Sequence, residues 1–553
     1  MKLRILSSLF ALLLLNAAMS MTNLWPTPFV KLDNRIAPEF VLLWFIILIL
    51  VWHRHKLSAR WLTGLAIAYM FFVVGRYLDT TAPTLFGRDI NLYWDGHQIP
   101  RVLWVTLKSY SLWISILVVA ALLALFWISF VALRWAIRMA ADHAAPYVLR
   151  KPWALLLTAV ASVLVIANVN GVRETWPYVS KPVLPTYSRQ VKLLLTAWNE
   201  RDLQTTLPPS LPFKSDLEVL RGRDVNLFFL ESYGQIAYTV PQINEGLLPA
   251  RQALGQQITD SGMQVVSAYV SSTTFGGASE LAHIALLTGI NTSNPNVHDL
   301  LITTNRPTLT GLFRQRGYEV HSLYHSLSWD WPEKVFYQFD KFSDARDLGY
   351  KGPKLGYWKV PDQFALARYE ELHPITAKSP KRLMFFPSIT SHMPFHPIPP
   401  YQADKKKLLS DTPFDAAQLA QVQAQKQDWF NMRPGYIGMI AYNYQWLQGS
   451  IAQAKTRDAL YIVLGDHQPP ANVTGEGATW DVPVHIISSQ PELLQRFLER
   501  GFQPGLTPRE PKIGAMFDLT RMILDALDSG ANQVAGSASG VLTQPSPAMS
   551  AKR

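Results

Sequence analysis

Three side chains have the types and places that suit a bound cation. Glu231 directly follows the apolar run 225–230, and Asp466 with His467 follow the run 460–464 through Gly465. The chain has no cysteine, so a divalent ion here would be met by carboxylate, imidazole and hydroxyl alone. Each residue also has an ordinary use: Glu231 could pair with a lysine, and Gly-Asp-His could be a turn in which the aspartate bonds its own backbone. A fourth candidate is Ser279, in the segment TFGGASELAHIALLTGI at 274–290. Gly276 and Gly277 permit close approach of a ligand, and Ser279 stands where a helix should begin. Such a serine can be a helix cap. It can also be a nucleophile, because helix N-terminal amides favour phosphoryl oxygens and an adjacent cation lowers a hydroxyl's pKa. Thr273 and Thr274 are alternative hydroxyls, and His283 should share a helix face with Ser279.

These residues need a frame that gathers them. Short apolar runs at 225–230, 265–270, 319–324, 384–389, 460–464 and 482–487 read as buried parallel strands. Helical patterns at 281–287, 308–315, 361–372 and 436–454 separate many of them. The alternation predicts an α/β domain with a mostly parallel sheet over 219–528. Chemistry in such sheets collects at the carboxyl ends of strands, where Glu231, Asp466 and His467 fall.

The first 171 residues differ in character. Apolar runs at 5–21, 37–52, 61–78, 112–133 and 153–167 each approach the length of a membrane crossing, giving a bundle of about five helices. The first follows Lys2 and Arg4 and ends in small residues, so it reads as a retained helix with a cleaved signal as the alternative. Arg54, Lys56 and Arg60 fill one loop, and Arg134, Arg138, Arg150 and Lys151 another; both read as cytoplasmic. Five crossings then place the α/β domain outside the inner membrane. Residues 172–218 are proline-bearing and read as a juxtamembrane connector around one helix at 189–200. Residues 529–553, rich in Ser, Gly, Ala and Pro, read as a disordered tail. The net charge of +11 is partly absorbed by the cytoplasmic loops, and no basic-aromatic motif points to nucleic acid.

The chain resembles the lipoteichoic acid synthase and phosphoglycerol transferase branch of the alkaline phosphatase and sulfatase superfamily. Leu230, Glu231 and Ser232 match its metal-binding LES pattern, and Gly465, Asp466 and His467 its late GDH signature. Ser279 stands nine residues before Thr288 and ten before Gly289, the place of the family's nucleophile, with serine for the commoner threonine. His392 and Pro394 in SHMPF resemble the HxP segment whose histidine contacts the phosphate or headgroup. His325 with Trp329 or Trp331 resembles a second substrate-binding pair, and spacing does not choose between the tryptophans. Where relatives often carry a Glu four residues past the nucleophile, this chain has His283.

The resemblance implies one divalent metal ion, Mn2+ favoured over Zn2+ or Mg2+, held by Glu231, Ser279, Asp466 and His467. It implies transfer of phosphoglycerol from a membrane phospholipid through a covalent Ser279 intermediate to a hydroxyl of a glycan or glycerophosphate polymer. Phosphoethanolamine transfer and hydrolysis of a phosphodiester or sulfate ester are the neighbouring activities, and a membrane-bound sensor or assembly protein the non-enzymatic one. The sulfatase modification signal Cys/Ser-x-Pro-x-Arg is absent, since Ser279 is followed by Glu280, Leu281 and Ala282.

Overall fold

The computed structural model describes residues 2–24, 27–54, 56–86, 90, 92, 96, 112–150, 179–198, 207–328, 331–376, 378–425, 427–429, 431–453, 458–475 and 477–530. The expected apolar run 153–167 and Trp329 lie outside them, as does the tail beyond residue 530.

Four of the apolar runs are helices: α1 (Lys2–Ser20), α2 (Pro38–Arg54), α3 (Ala59–Phe86) and α4 (Leu112–Arg150). Helix α4 packs against the other three. Small and branched side chains, among them Ala11, Ile47, Ala66, Ala136 and Ile137, fill the seam. Among the described residues, two stretches are long and apolar enough to cross a membrane, Ala59–Pro83 and Leu112–Ala144. Only 6% of the apolar window in the second is buried inside the protein. So large an exposed apolar surface calls for a non-aqueous neighbour, which lipid supplies. A further helix, α5 (Leu184–Trp198), begins earlier than the expected 189–200.

The α/β domain is built on eight strands: β1 (Asp224–Leu230), β2 (Gln264–Ser271), β3 (Glu319–Tyr324), β4 (Lys341–Asp344), β5 (Arg382–Pro387), β6 (Ala459–Gly465), β7 (Asp481–Ser488) and β8 (Gln503–Pro504). Their order across the sheet is β8-β2-β7-β6-β1-β5-β3-β4. The sheet is mixed. Strand β7 pairs antiparallel with both β6 and β2, and β8 antiparallel with β2, while the other four pairings are parallel. This corrects the reading of 482–487 as a parallel strand. The β6–β7 connection holds only a four-residue helix, Ala471–Thr474, and a parallel return needs a full crossover.

Strand parity divides the apolar residues between two layers. Val225, Leu227 and Phe229 face one core with Leu460, Ile462, Leu464, Leu383 and Phe385. Phe228 and Leu230 face the other with Tyr461, Val463, Met384 and Phe386. Helices α7 (Ser279–Thr288) and α10 (Met516–Leu527) cover the first layer. Helices α6 (Pro241–Asp260), α8 (Asp362–Leu372) and α9 (Arg433–Gln453) cover the second. Central strand β1 thus has β5 and β6 as parallel neighbours, so three carboxyl ends open side by side.

Candidate active site and metal centre

Glu231 is the first residue beyond β1. Its N–H donates to Ser388 Oγ at 3.0 Å, and its carbonyl accepts from Ser391 Oγ at 2.6 Å, so the loop after β5 clamps it from both sides. Asp466 and His467 leave β6 alongside it. Gly465 is needed there, because a Cβ would sit 1.8 Å from the carbonyl oxygen of Tyr233. Ser232, at φ 57°, joins the two strand ends: its N–H donates to Asp466 Oδ1 at 2.8 Å and its hydroxyl to Glu231 Oε1 at 2.9 Å.

The imidazole of His467 has a fixed tautomer. Its Nδ1 faces the Gln468 carbonyl at 2.8 Å, and a carbonyl can only accept, so Nδ1 carries the proton. The same carbonyl accepts from Gly276 N at 3.0 Å, which ties the glycine turn to the histidine. In the neutral imidazole Nε2 is then a bare lone pair, 3.2 Å from Ser279 Oγ.

Ser279 reaches that lone pair through a left-handed turn. Gly276, Gly277 and Ala278 have φ of 67°, 147° and 59°, and α7 starts immediately after. Its hydroxyl does not cap the helix; it donates to Glu231 Oε2 at 3.1 Å. Thr273 and Thr274 are committed elsewhere, donating to the carbonyls of Leu281 at 3.0 Å and Gly277 at 2.6 Å. Both are buried, and they hold the turn in shape.

Ligand atoms of Glu231, Asp466 and His467 lie within 4.8 Å of one another, the group among the described residues that could hold a metal ion. All three side chains are buried, whereas Ser279 is partly exposed. Burial first, and then the Glu231 charge, push Asp466 up to about 6. Burial works against charging His467, but Asp466 and Glu231 outweigh it and hold its pKa above the usual value. Two carboxylates crowded in a dry pocket therefore call for positive charge, and a divalent cation fits the donor set.

Residues 242–488 match the family model described as Sulfatase. By this match the stretch resembles a sulfatase domain. Ser279, Asp466 and His467 lie inside the matched sulfatase stretch and Glu231 precedes it. No curated protein matches the chain. Similar solved structures include the lipoteichoic acid synthase LtaP from Listeria monocytogenes, at 14% identity over 60% of this chain and 79% of that one, TM-score 0.38. The integral membrane lipooligosaccharide phosphoethanolamine transferase EptA from Neisseria meningitidis is similar at 13% identity over 94% and 95%, TM-score 0.42. The phosphoglycerol transferase GacH of Streptococcus pyogenes, in complex with sn-glycerol-1-phosphate, is similar at 11% identity over 62% and 91%, TM-score 0.33.

The other expected site residues divide into two groups. His392 stands on the loop that clamps Glu231, one residue past Ser391. Its ring stacks on Tyr357 at 4.4 Å, with Trp358 at 6.2 Å, and Nδ1 donates to the Met393 carbonyl at 2.6 Å. Burial pushes its pKa down, and the charges of His467 and Asp466 reach it. His325 is fully buried instead: Nε2 lies 2.8 Å from Asp362 Oδ1. That carboxylate also accepts from Ile389 N at 2.8 Å and Thr390 N at 3.0 Å. His325 thus braces the loop that carries His392. Trp331 packs in an aromatic cluster, 4.9 Å from Tyr324 and 5.2 Å from Tyr337.

His283 lies against the Phe229 ring at 4.5 Å, with Nδ1 3.2 Å from the Tyr324 hydroxyl. Burial pushes its pKa down to about 4, so it is a neutral core histidine. The bridging role of Ser232, named only as part of the LES pattern, escaped the sequence reading, as did Asp362, Tyr357 and Trp358. The last two had a visible signal, a Gly-Tyr-Trp run ahead of a helix; the first two are ordinary residues whose partners are remote in the chain.

Proposed function

We propose that the protein is a membrane-anchored, metal-dependent transferase that moves phosphoglycerol from phosphatidylglycerol, through Ser279, to a hydroxyl of an envelope glycan or glycerophosphate polymer. The observation that carries the reading is the hydroxyl of Ser279, 3.1 Å from Glu231 Oε2 and 3.2 Å from His467 Nε2 at the start of a helix. A catalytic serine needs a group that stabilises its deprotonated form, and helix amides favour the phosphoryl oxygens it would meet.

Glu231, Asp466, His467 and Ser279 would hold the ion, Mn2+ being our first choice. When bound, it lowers the pKa of the serine hydroxyl and offsets charge on the phosphoryl group. Ser279 Oγ, having lost its proton, attacks phosphorus; the bond to the diacylglycerol oxygen breaks, and that oxygen leaves as a hydroxyl after protonation. A hydroxyl of the acceptor then displaces Ser279. Neutral His392, with Nδ1 given to Met393, offers Nε2 as an acceptor for a substrate hydroxyl. The sequence at Ser279 lacks the signal for conversion to formylglycine, which supports phosphoryl over sulfate transfer.

The apolar runs and their basic loops support five crossings with the sulfatase domain on the extracytoplasmic side, where a lipid donor is met at the bilayer surface. The short helix Ala471–Thr474, which follows His467 closely in sequence, packs against α3. That contact keeps the metal loop close to the membrane domain.

The test is incubation of the purified full-length protein with headgroup-labelled phosphatidylglycerol and Mn2+, with phosphatidylethanolamine in parallel. Diacylglycerol release and label on Ser279 are expected from the first lipid. Undiminished turnover in Ser279→Ala would overturn the nucleophile, and label from phosphatidylethanolamine alone would reassign the donor.

A further inference from the structure

Helix α5 is fastened to α3 by one face. Thr186 Oγ1 donates to Asp79 Oδ1 at 2.7 Å, and Tyr187 stacks on Phe71 at 4.3 Å. Gln190 accepts from Leu92 N at 2.8 Å and donates to the Ile90 carbonyl at 2.7 Å. A second face carries Leu184, Val191 and Leu195, which are 56%, 54% and 59% exposed. At 3.6 residues per turn these three fall within an arc of about 40°. Arg189 and Lys192 follow next around the helix, on the side away from α3. Around its circumference α5 therefore presents a docked face, an exposed apolar stripe and a basic flank.

The apolar stripe is not alone. The segment between α1 and α2 is a small hairpin in which Thr22–Asn23 pairs with Val30–Lys31, and it exposes Phe29 at 62%, Leu32 at 80% and Ile36 at 49%. Arg76 of α3 donates to the Met21 carbonyl at 2.9 Å and the Tyr77 hydroxyl to the Pro28 carbonyl at 2.9 Å. Ile36 pairs in turn with Val179, just ahead of α5. Hairpin and helix thus rim the same end of the candidate span Ala59–Pro83. An apolar rim continuous with a membrane span has the bilayer as its natural cover.

We propose that α5 lies in the plane of the membrane interface, with Leu184, Val191 and Leu195 immersed and Arg189 and Lys192 turned to anionic headgroups. The helix and the short Ala471–Thr474 helix both rest on α3. An in-plane α5 would hold the sulfatase domain at one height and tilt above the bilayer. The basic flank would enrich anionic phospholipid beside the site. None of this depends on which group the enzyme transfers.

The chain has no cysteine, so single cysteines can be placed without background. The full-length protein would carry a spin label at residue 184, 189, 191, 192 or 195 in nanodiscs of phosphatidylcholine with or without phosphatidylglycerol. Collision with oxygen and with a water-soluble nickel chelate reports immersion, and unchanged thermal melting shows that each variant is folded. Labels at 184, 191 and 195 should favour oxygen several-fold over those at 189 and 192. Equal access of the nickel chelate at all five positions would overturn the immersion. So would protection of the stripe from both reagents, which would mean a protein partner or second copy. Phosphatidylglycerol should deepen the stripe, and Arg189→Gln with Lys192→Gln should remove that increment; an increment that survives would overturn the headgroup contact.

Discussion

The backbone N–H of Ser232 donates to Oδ1 of Asp466 at 2.8 Å, across the ends of two adjacent strands and 234 residues of sequence. Its hydroxyl holds Glu231 Oε1 at 2.9 Å, so one residue orients both carboxylates. Groups that fix metal-binding carboxylates typically contribute about 10- to 100-fold in affinity. Ser232→Ala keeps the amide and loses the hydroxyl. It should weaken Mn2+ binding about 10-fold in calorimetry, with melting of the metal-free protein little changed. Unaltered affinity would remove Ser232 from the account.

Gly465→Ala should be costly for a steric reason. The new methyl would have to enter 1.8 Å from the Tyr233 carbonyl oxygen, which is backbone and cannot swing aside. Overpacking of this kind costs about 1–3 kcal/mol. The expected result is a lower melting temperature together with weaker metal binding, read by calorimetry; a variant as stable as the parent would show that the strand ends can spread.

The two histidines proposed for the substrate side should separate by phenotype. His392 stands on a loop beside the centre and stacks on Tyr357, whereas His325 is buried with Asp362. His392→Ala should lose about 10²-fold in turnover, as groups serving a reacting oxygen do, with melting unchanged. His325→Ala leaves a buried carboxylate short of a partner and should cost about 1–3 kcal/mol of stability. Equal melting losses in the two variants would contradict the division.

Acid should destabilise the fold through buried neutral histidines. Burial, followed by the Arg251 charge, pushes His485 down to about 3, while its imidazole touches Tyr233 Oη at 3.0 Å and Ser267 Oγ at 2.7 Å. The unfolded histidine titrates near 6.5, so between that pH and about 3 the unfolded chain binds the extra proton and stability falls with pH. At pH 5 the loss from this residue is about 2 kcal/mol. Thermal melts from pH 7.5 to pH 5 should fall less steeply for His485→Asn than for the parent; parallel slopes would mean another group dominates.

The strand-end positions of Glu231 and Asp466 were legible because buried strands are continuous apolar runs, and the first polar residue after such a run marks its end. The orientation of Ser279 was not. Cap and first helical residue differ by one position, and the difference is made by Ala278 at φ 59°, a conformation that alanine does not announce. The burial of His325 was hidden for another reason: its partner Asp362 lies 37 residues away. Only the tertiary fold shows that the pair faces inward. Strand β7 read as parallel because a run buried on both faces looks the same in either direction; its short connection from β6 decides the matter.

Because β1 and β6 are hydrogen-bonded neighbours from Asp224–Ala459 to Leu230–Gly465, the candidate cation donors Glu231 and Asp466 come from segments synthesised far apart in the domain. A nascent chain that has made Glu231 still lacks Asp466 and His467 until β6 pairs with β1. The buried cluster of Glu231, Asp466 and His467 is therefore complete only once the chain has folded through β6.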